Sequence, residues 1–202
     1  MSSDPVTAPR SPRRRSTAGR CAAVGATLVL AASGWPAGGA FAVETAAETV
    51  KEYEVKAAFL YNFAKFTTWP DDAYRDDEAP FVIGLLGRDP FGRTLDDTLK
   101  GKKVGTRPVR VLRYERLEQV GAPHLLFVAE SDEKRVAAVL KDLGTKPILL
   151  VGDAAGFAAR GGAAGFYLEE SNVRFEMNPA ALKRARLVVA AQVLKLARIV
   201  EG

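Results

Sequence analysis

The stretch FVIGLL at Phe81–Leu86 is apolar at every position and closes on Gly87. A strand wetted on one face alternates apolar and polar residues, so an unbroken apolar run implies cover on both faces. The runs LLFVA at Leu125–Ala129 and ILLV at Ile148–Val151 repeat the pattern. Helical signals separate them. Pro90–Lys100 sets Phe91, Leu95 and Leu99 four apart. After a cap at Ser131 or Asp132, Val136, Val139/Leu140 and Leu143 lead to a stop at Gly144. Buried strands alternating with helices predict an α/β fold. We expect a single-domain layered sandwich, its sheet mixed but mostly parallel, of five or six strands with helices on both faces.

Working outward, residues 44–68 read as a helix of good helix formers, ended by Trp69-Pro70. Val55, Phe59, Asn62/Phe63 and Phe66 mark one side; Tyr53, Ala57, Leu60/Tyr61 and Ala64 mark another. Such a helix is buried on both sides, or buried on one and offered to a partner on the other. Lys103–Tyr114 has strand character with Arg107, Arg110 and Arg113 interleaved. Period three is not period two, so these arginines do not all share one face, and a solvated edge strand is expected. Ala154–Ala159 reads as a short helix. Ala164–Leu168 and Val173–Met177 read as a hairpin, and Asn178-Pro179 opens a final helix with an apolar face from Leu182 to Val200.

The amino end carries a different message. Arg10, Arg13, Arg14, Arg15 and Arg20 precede an apolar block from Cys21 to Ala32 and an Ala40-Phe41-Ala42 site. That is the pattern of an export signal cleaved after Ala42, and the block is short for a membrane span. The expected division is residues 1–42 as signal peptide and 43–202 as the working domain, located in the periplasm and not inserted in the membrane. The whole chain holds 29 basic and 24 acidic residues. Residues 43–202 keep 24 and 23 of these, a formal charge of +1. No net positive excess is left to neutralise phosphates, so nucleic acid is not an expected partner. Cys21, the only cysteine, lies in the signal. The mature domain therefore has no disulfide, no thiolate nucleophile and no redox control through cysteine.

Catalytic equipment is sparse. His124 is the only histidine, and it borders an apolar strand, the usual place of a structural histidine. Ser131 and Ser171 sit in no nucleophile elbow. No His/Cys spacing supports a metal, and no cofactor is expected. Asp71-Asp72, Asp76-Asp77 and Glu169-Glu170 fall in predicted loops, where solvated charge is the ordinary explanation. The glycine-bearing run from Gly84 to Gly92 fits neither the dinucleotide fingerprint nor the phosphate-binding loop. A tight turn is the simpler reading, and no enzyme is expected.

Several segments together resemble the YfiR family, also described as a domain of unknown function of the DUF4154 type. They are EYEVKAAFLYNFAKFTTWP (Glu52–Pro70), the run Phe81–Val111 with its Gly-x-Asp-Pro-Phe-Gly turn, Ile148–Asn178 with its Val-x-Phe-Glu-x-Asn stretch, and the final helix. The resemblance implies an exported, non-enzymatic regulator with an α/β fold. It implies binding to the sensor region of an inner-membrane diguanylate cyclase, which is held inactive, with less cyclic di-GMP and less biofilm. It also implies an outer-membrane-associated lipoprotein that sequesters the regulator, and a capacity to dimerise. The redox control that disulfides give to family members has no counterpart in this cysteine-free domain.

Two sets of residues follow as candidates. Aromatic anchors often dominate interface energy, so the partner surface is expected at Phe59, Tyr61, Phe63, Phe66 and Trp69. The alternative is a periplasmic small-ligand binding protein feeding a transporter or receptor. Ligands in α/β sheets sit at the carboxyl ends of strands, which points to Gly87, Asp89, Gly152 and Asp153. A hydrolase using acids alone is a third reading.

Overall fold

Each apolar run becomes a parallel strand with its side chains split between two cores. The computed structural model describes residues 40–129 and 133–202, which lie within one compact unit. Residues 1–39 of the expected signal, and the expected cap at Ser131 or Asp132, lie outside the described residues.

Helix α1 spans Ala40–Phe66, followed by the two-residue strand β1 (Thr67–Thr68). Strand β2 is Phe81–Gly87, α2 is Arg93–Leu99, β3 is Lys103–Val104 and β4 is Arg107–Tyr114. Strand β5 is Leu125–Ala129, α3 is Glu133–Leu143 and β6 is Leu149–Gly152. The hairpin pairs β7 (Ala164–Glu169) with β8 (Asn172–Met177). The chain then runs through α4 (Pro179–Arg184), β9 (Val188–Val189), α5 (Ala191–Leu194) and β10 (Arg198–Ile199).

Among the described residues the main sheet has eight strands in the order β10-β8-β7-β6-β5-β2-β4-β3. The four central pairings, β4 to β2, β2 to β5, β5 to β6 and β6 to β7, are parallel. Only β3–β4 and β7–β8 are antiparallel. The sheet is thus mixed and mostly parallel, as expected, but larger than five or six strands. Its two outermost members are two-residue strands, too short to leave a periodic signal.

The two-faced cover follows residue by residue. Phe81, Ile83, Leu85, Leu125, Phe127, Leu149 and Val151 pack on the inner row of α1 (Ala57, Leu60, Ala64) and on Leu95 and Leu99 of α2. Their neighbours Leu86, Leu126, Val128 and Leu150 turn to the other face and meet Val136, Val139 and Leu143 of α3. Helix α3 ends as its sequence predicts. The Gly144 N–H donates to the Leu140 carbonyl at 2.9 Å, and a Cβ at Gly144 would collide with that same oxygen.

Four local expectations are corrected. The first helix gives way at Thr67, where two β-branched residues pair with Val188–Val189. The helix expected over Pro90–Lys100 starts at Arg93, because the Asp89 carboxylate accepts the Phe91 and Gly92 N–H groups and folds the turn before it. Residues 155–161 are a run of turns, not a helix. The long final helix is broken into α4, β9, α5 and β10. No glycine or proline marks those breaks after Pro179. What wins over helical propensity is pairing: β9 with β1, β10 parallel to β8, and the Ala190 N–H on the Phe66 carbonyl at 2.8 Å. The Asn178 cap holds. Its side chain accepts the Ala181 N–H at 3.0 Å and donates to the Ala158 carbonyl at 2.8 Å.

Candidate functional site

Helix α1 has two differently dressed faces. Ala57, Leu60, Phe63 and Ala64 are buried, while Val55 and Asn62 are exposed and Phe59 and Phe66 are half-buried. The outer row Val55, Phe59, Asn62, Phe66 is spaced four, three and four, which keeps it on one side of the helix. The helix is thus buried on one side only, and its other side is exposed or half-buried. Phe59 rests on Phe175, with centroids 5.1 Å apart, and on Phe63 at 6.0 Å. A groove of about 250 Å³ opens beside these rings, closed on its far side by Gln192, Val193 and Leu196. Leu196 is 74% exposed. Higher up, Val55 and Phe59 face the tip of the β7–β8 hairpin across a second concavity that includes Leu168 and Val173.

The five aromatic candidates do not form one surface. Phe59 and Phe66 line the groove. Phe63 sits at its base and is buried against Phe166 and Phe175. Tyr61 lies away from it, its hydroxyl donating to the Lys103 carbonyl at 3.1 Å. Trp69 is a core residue: its indole N–H donates to the His124 carbonyl at 3.0 Å, and its ring meets Phe81 edge-on.

The four ligand candidates lie at strand ends, as expected. Gly87 and Gly152 are separated by the intervening strand β5. The space above Gly152 is filled, since a Cβ there would meet the Phe157 ring at 2.7 Å. Asp89 is engaged by its turn and by Arg113, whose Nε donates at 2.8 Å. Asp153 accepts from the Tyr53 hydroxyl at 3.0 Å and from Lys56 Nζ at 3.1 Å. Gly87 lines one concavity with Arg116 and Arg135, whereas Asp153 lines another with Tyr53 and Lys56. The two halves of this set therefore do not share a pocket.

Lys56 is the residue that sequence reading missed. It is only 4% exposed, with Nζ bridging Glu52 and Asp153 and lying 4.4 Å from the Tyr53 ring centre. Burial first, and then the Asp153 charge, hold the Tyr53 phenol above its ordinary range. The signal was present: Lys56 falls on the inner row beside Ala57 and Leu60. The cluster latches the middle of α1 to the end of β6. Its hydrogen bonds run between groups of this chain, so it fastens a helix.

His124 is likewise structural. Val82 N–H donates to its Nδ1 at 3.0 Å, and its ring stacks on Phe81 with centroids 4.6 Å apart. The arginines of β4 divide by parity. Arg107 donates to the Asp76 and Ala79 carbonyls and Arg113 pairs with Asp89 and Asp96, whereas Arg110 points into solvent. Among the described residues no group of His, Cys, Asp and Glu is arranged to hold a metal ion, and no helix is long and apolar enough to cross a membrane.

The profile of the YfiR/HmsC-like family matches residues 53–198, from the Tyr53 latch to the last strand. The chain belongs to the YfiR/HmsC-like family. The matched span takes in α1 from Tyr53 onward, the whole central sheet and the broken carboxyl segment. Comparison with curated proteins returns no match.

Proposed function

We propose that this YfiR/HmsC-like chain is a periplasmic, non-enzymatic regulator. It binds the sensor region of an inner-membrane diguanylate cyclase, holds the enzyme inactive, and so lowers cyclic di-GMP and biofilm formation. The observation that carries this reading is the family match over nearly the whole folded unit. Cleavage after Ala42 would remove the first three residues of α1 and leave the family-matched span, residues 53–198, whole. The mechanism is a population shift: the regulator binds the inactive sensor more tightly, and each tenfold difference in affinity supplies about 1.4 kcal/mol. An outer-membrane-associated lipoprotein that competes for the regulator would reverse the shift, and a homodimer is compatible with either state.

The test is genetic and direct. Deleting the gene raises cyclic di-GMP, and restoring the exported chain lowers it again. Unchanged cyclic di-GMP after deletion, with no membrane sensor recovered by cross-linking to the regulator, refutes the proposal. The small-ligand reading has weaker support, since Gly87 and Asp153 line separate concavities, Asp89 and Gly152 line neither of them, and both aspartates are already hydrogen-bonded.

A further inference from the structure

The outer row of α1 and the carboxyl segment together specify the kind of partner element they accept. Val55, Phe59, Asn62 and Phe66 follow the four-three-four spacing of a helix–helix seam. From Val55 to Phe66 the seam is twelve residues, about 16 Å from first to last, or three helical turns. The groove beside it is apolar at its base and on its far wall, through Phe175, Val193 and Leu196. An exposed leucine above a buried valine is an unfilled apolar surface.

Charge defines the flank. Lys51, Ala58 and Lys65 recur every seven residues along one side of the row, and all three are exposed. The Lys65 ammonium lies 5.3 Å from the centre of the Phe66 ring. Lys195, also exposed, precedes Leu196 on the opposite wall. No carboxylate lines the stretch between Phe59 and Leu196. Acids enter toward the upper end, where Glu48 and Glu52 border the next concavity together with Lys51, Glu52 is tied to Lys56, and Glu54 is exposed beside Val55.

The geometry points to an amphipathic helix of a partner protein as the occupant, with apolar residues at three- and four-residue spacing and acidic residues flanking them. This is helix-in-groove recognition with complementary charge. A second copy of this chain is the alternative occupant that the test must separate. The inference rests on the proposal that the protein acts by binding another protein, and it names the element bound.

The test uses the exported protein recovered from the periplasm. The probe is a fluorescent synthetic helix of about 21 residues, with Leu at the two seam positions of each heptad and Glu at the flanking positions. A matched peptide carries Lys at the flanks. The acidic peptide is expected to bind about tenfold more tightly than the basic one. Leu196→Glu is expected to weaken acidic-peptide binding about tenfold without moving the melting temperature, since the side chain is already in water. Lys51→Glu together with Lys65→Glu is expected to reverse the preference. Equal binding of the two peptides, binding of neither, or unchanged binding by Leu196→Glu overturns the inference. So does a wild-type dimer that Leu196→Glu converts to monomer, which would assign the groove to a second copy. If deletion of the gene leaves cyclic di-GMP unchanged while the charge preference holds, the regulatory reading fails and the groove stands.

Discussion

Acidification is expected to unlock this fold through a single imidazole. His124 is the chain's only histidine and is 5% exposed. Its Nδ1 accepts the Val82 N–H, so the neutral ring carries its proton on Nε2. A second proton on Nδ1 would set two donors against each other. Burial, aided by the positive charge of Arg107, lowers the His124 pKa from 6.5 to about 4. The unfolded chain therefore takes up a proton before the folded one does. Stability from this site is complete above pH 6.5 and declines as pH falls toward 4. At 1.36 kcal/mol per pH unit, the loss across that window is about 3 kcal/mol. Urea unfolding at pH 7, 5.5 and 4 measures it. His124→Asn places an amide oxygen near the Nδ1 position and removes the titration. The variant starts about 1–2 kcal/mol less stable at pH 7 through lost ring packing, with a flatter profile between pH 6.5 and 4. A variant as steep as the wild type, or a wild type with no decline in that window, refutes the reasoning.

The other predictions concern the latch, the cap and the hairpin. Lys56→Met leaves Glu52 and Asp153 facing each other without their cation and should cost about 3 kcal/mol in urea unfolding; adding Asp153→Leu should recover part of that loss. Asn178→Ala removes the Ala181 cap and strands the Ala158 carbonyl, for a loss of about 2–3 kcal/mol by the same measurement. Ser171→Gly should raise stability by about 0.5–1 kcal/mol, seen as a higher melting temperature, because Ser171 holds a φ of 63° at the tip of the β7–β8 hairpin.

The centre of the molecule was legible because its signal is local. FVIGLL, LLFVA and ILLV can be satisfied only between two covered faces, and each became a parallel central strand. The periphery was not legible. β3, β9 and β10 are two residues each, and their existence depends on partners far away in sequence. Val188 and Val189 become a strand because Thr67 and Thr68 lie beside them, which no window around residue 188 contains. The aromatic helix shows the same limit at the level of the site. Spacing separated the two rows except at Phe63, which it set with Phe59 and which the fold buries with Leu60 and Ala64, and only tertiary contact sends Trp69 to the His124 carbonyl and leaves Phe66 on the groove. Lys56 shows a related limit: its place on the inner row is in the sequence, but its partner Asp153 comes from another element.

The small ladder between β1 and β9 also sets an order of events. Its two halves are Thr67 and Val189, on either side of almost the entire sheet in sequence. A polypeptide delivered amino end first cannot close that ladder until Val188 and Val189 have arrived. Final locking then belongs to the completed chain, so a truncated product stalls in a loosely tied form that quality-control proteases can cut.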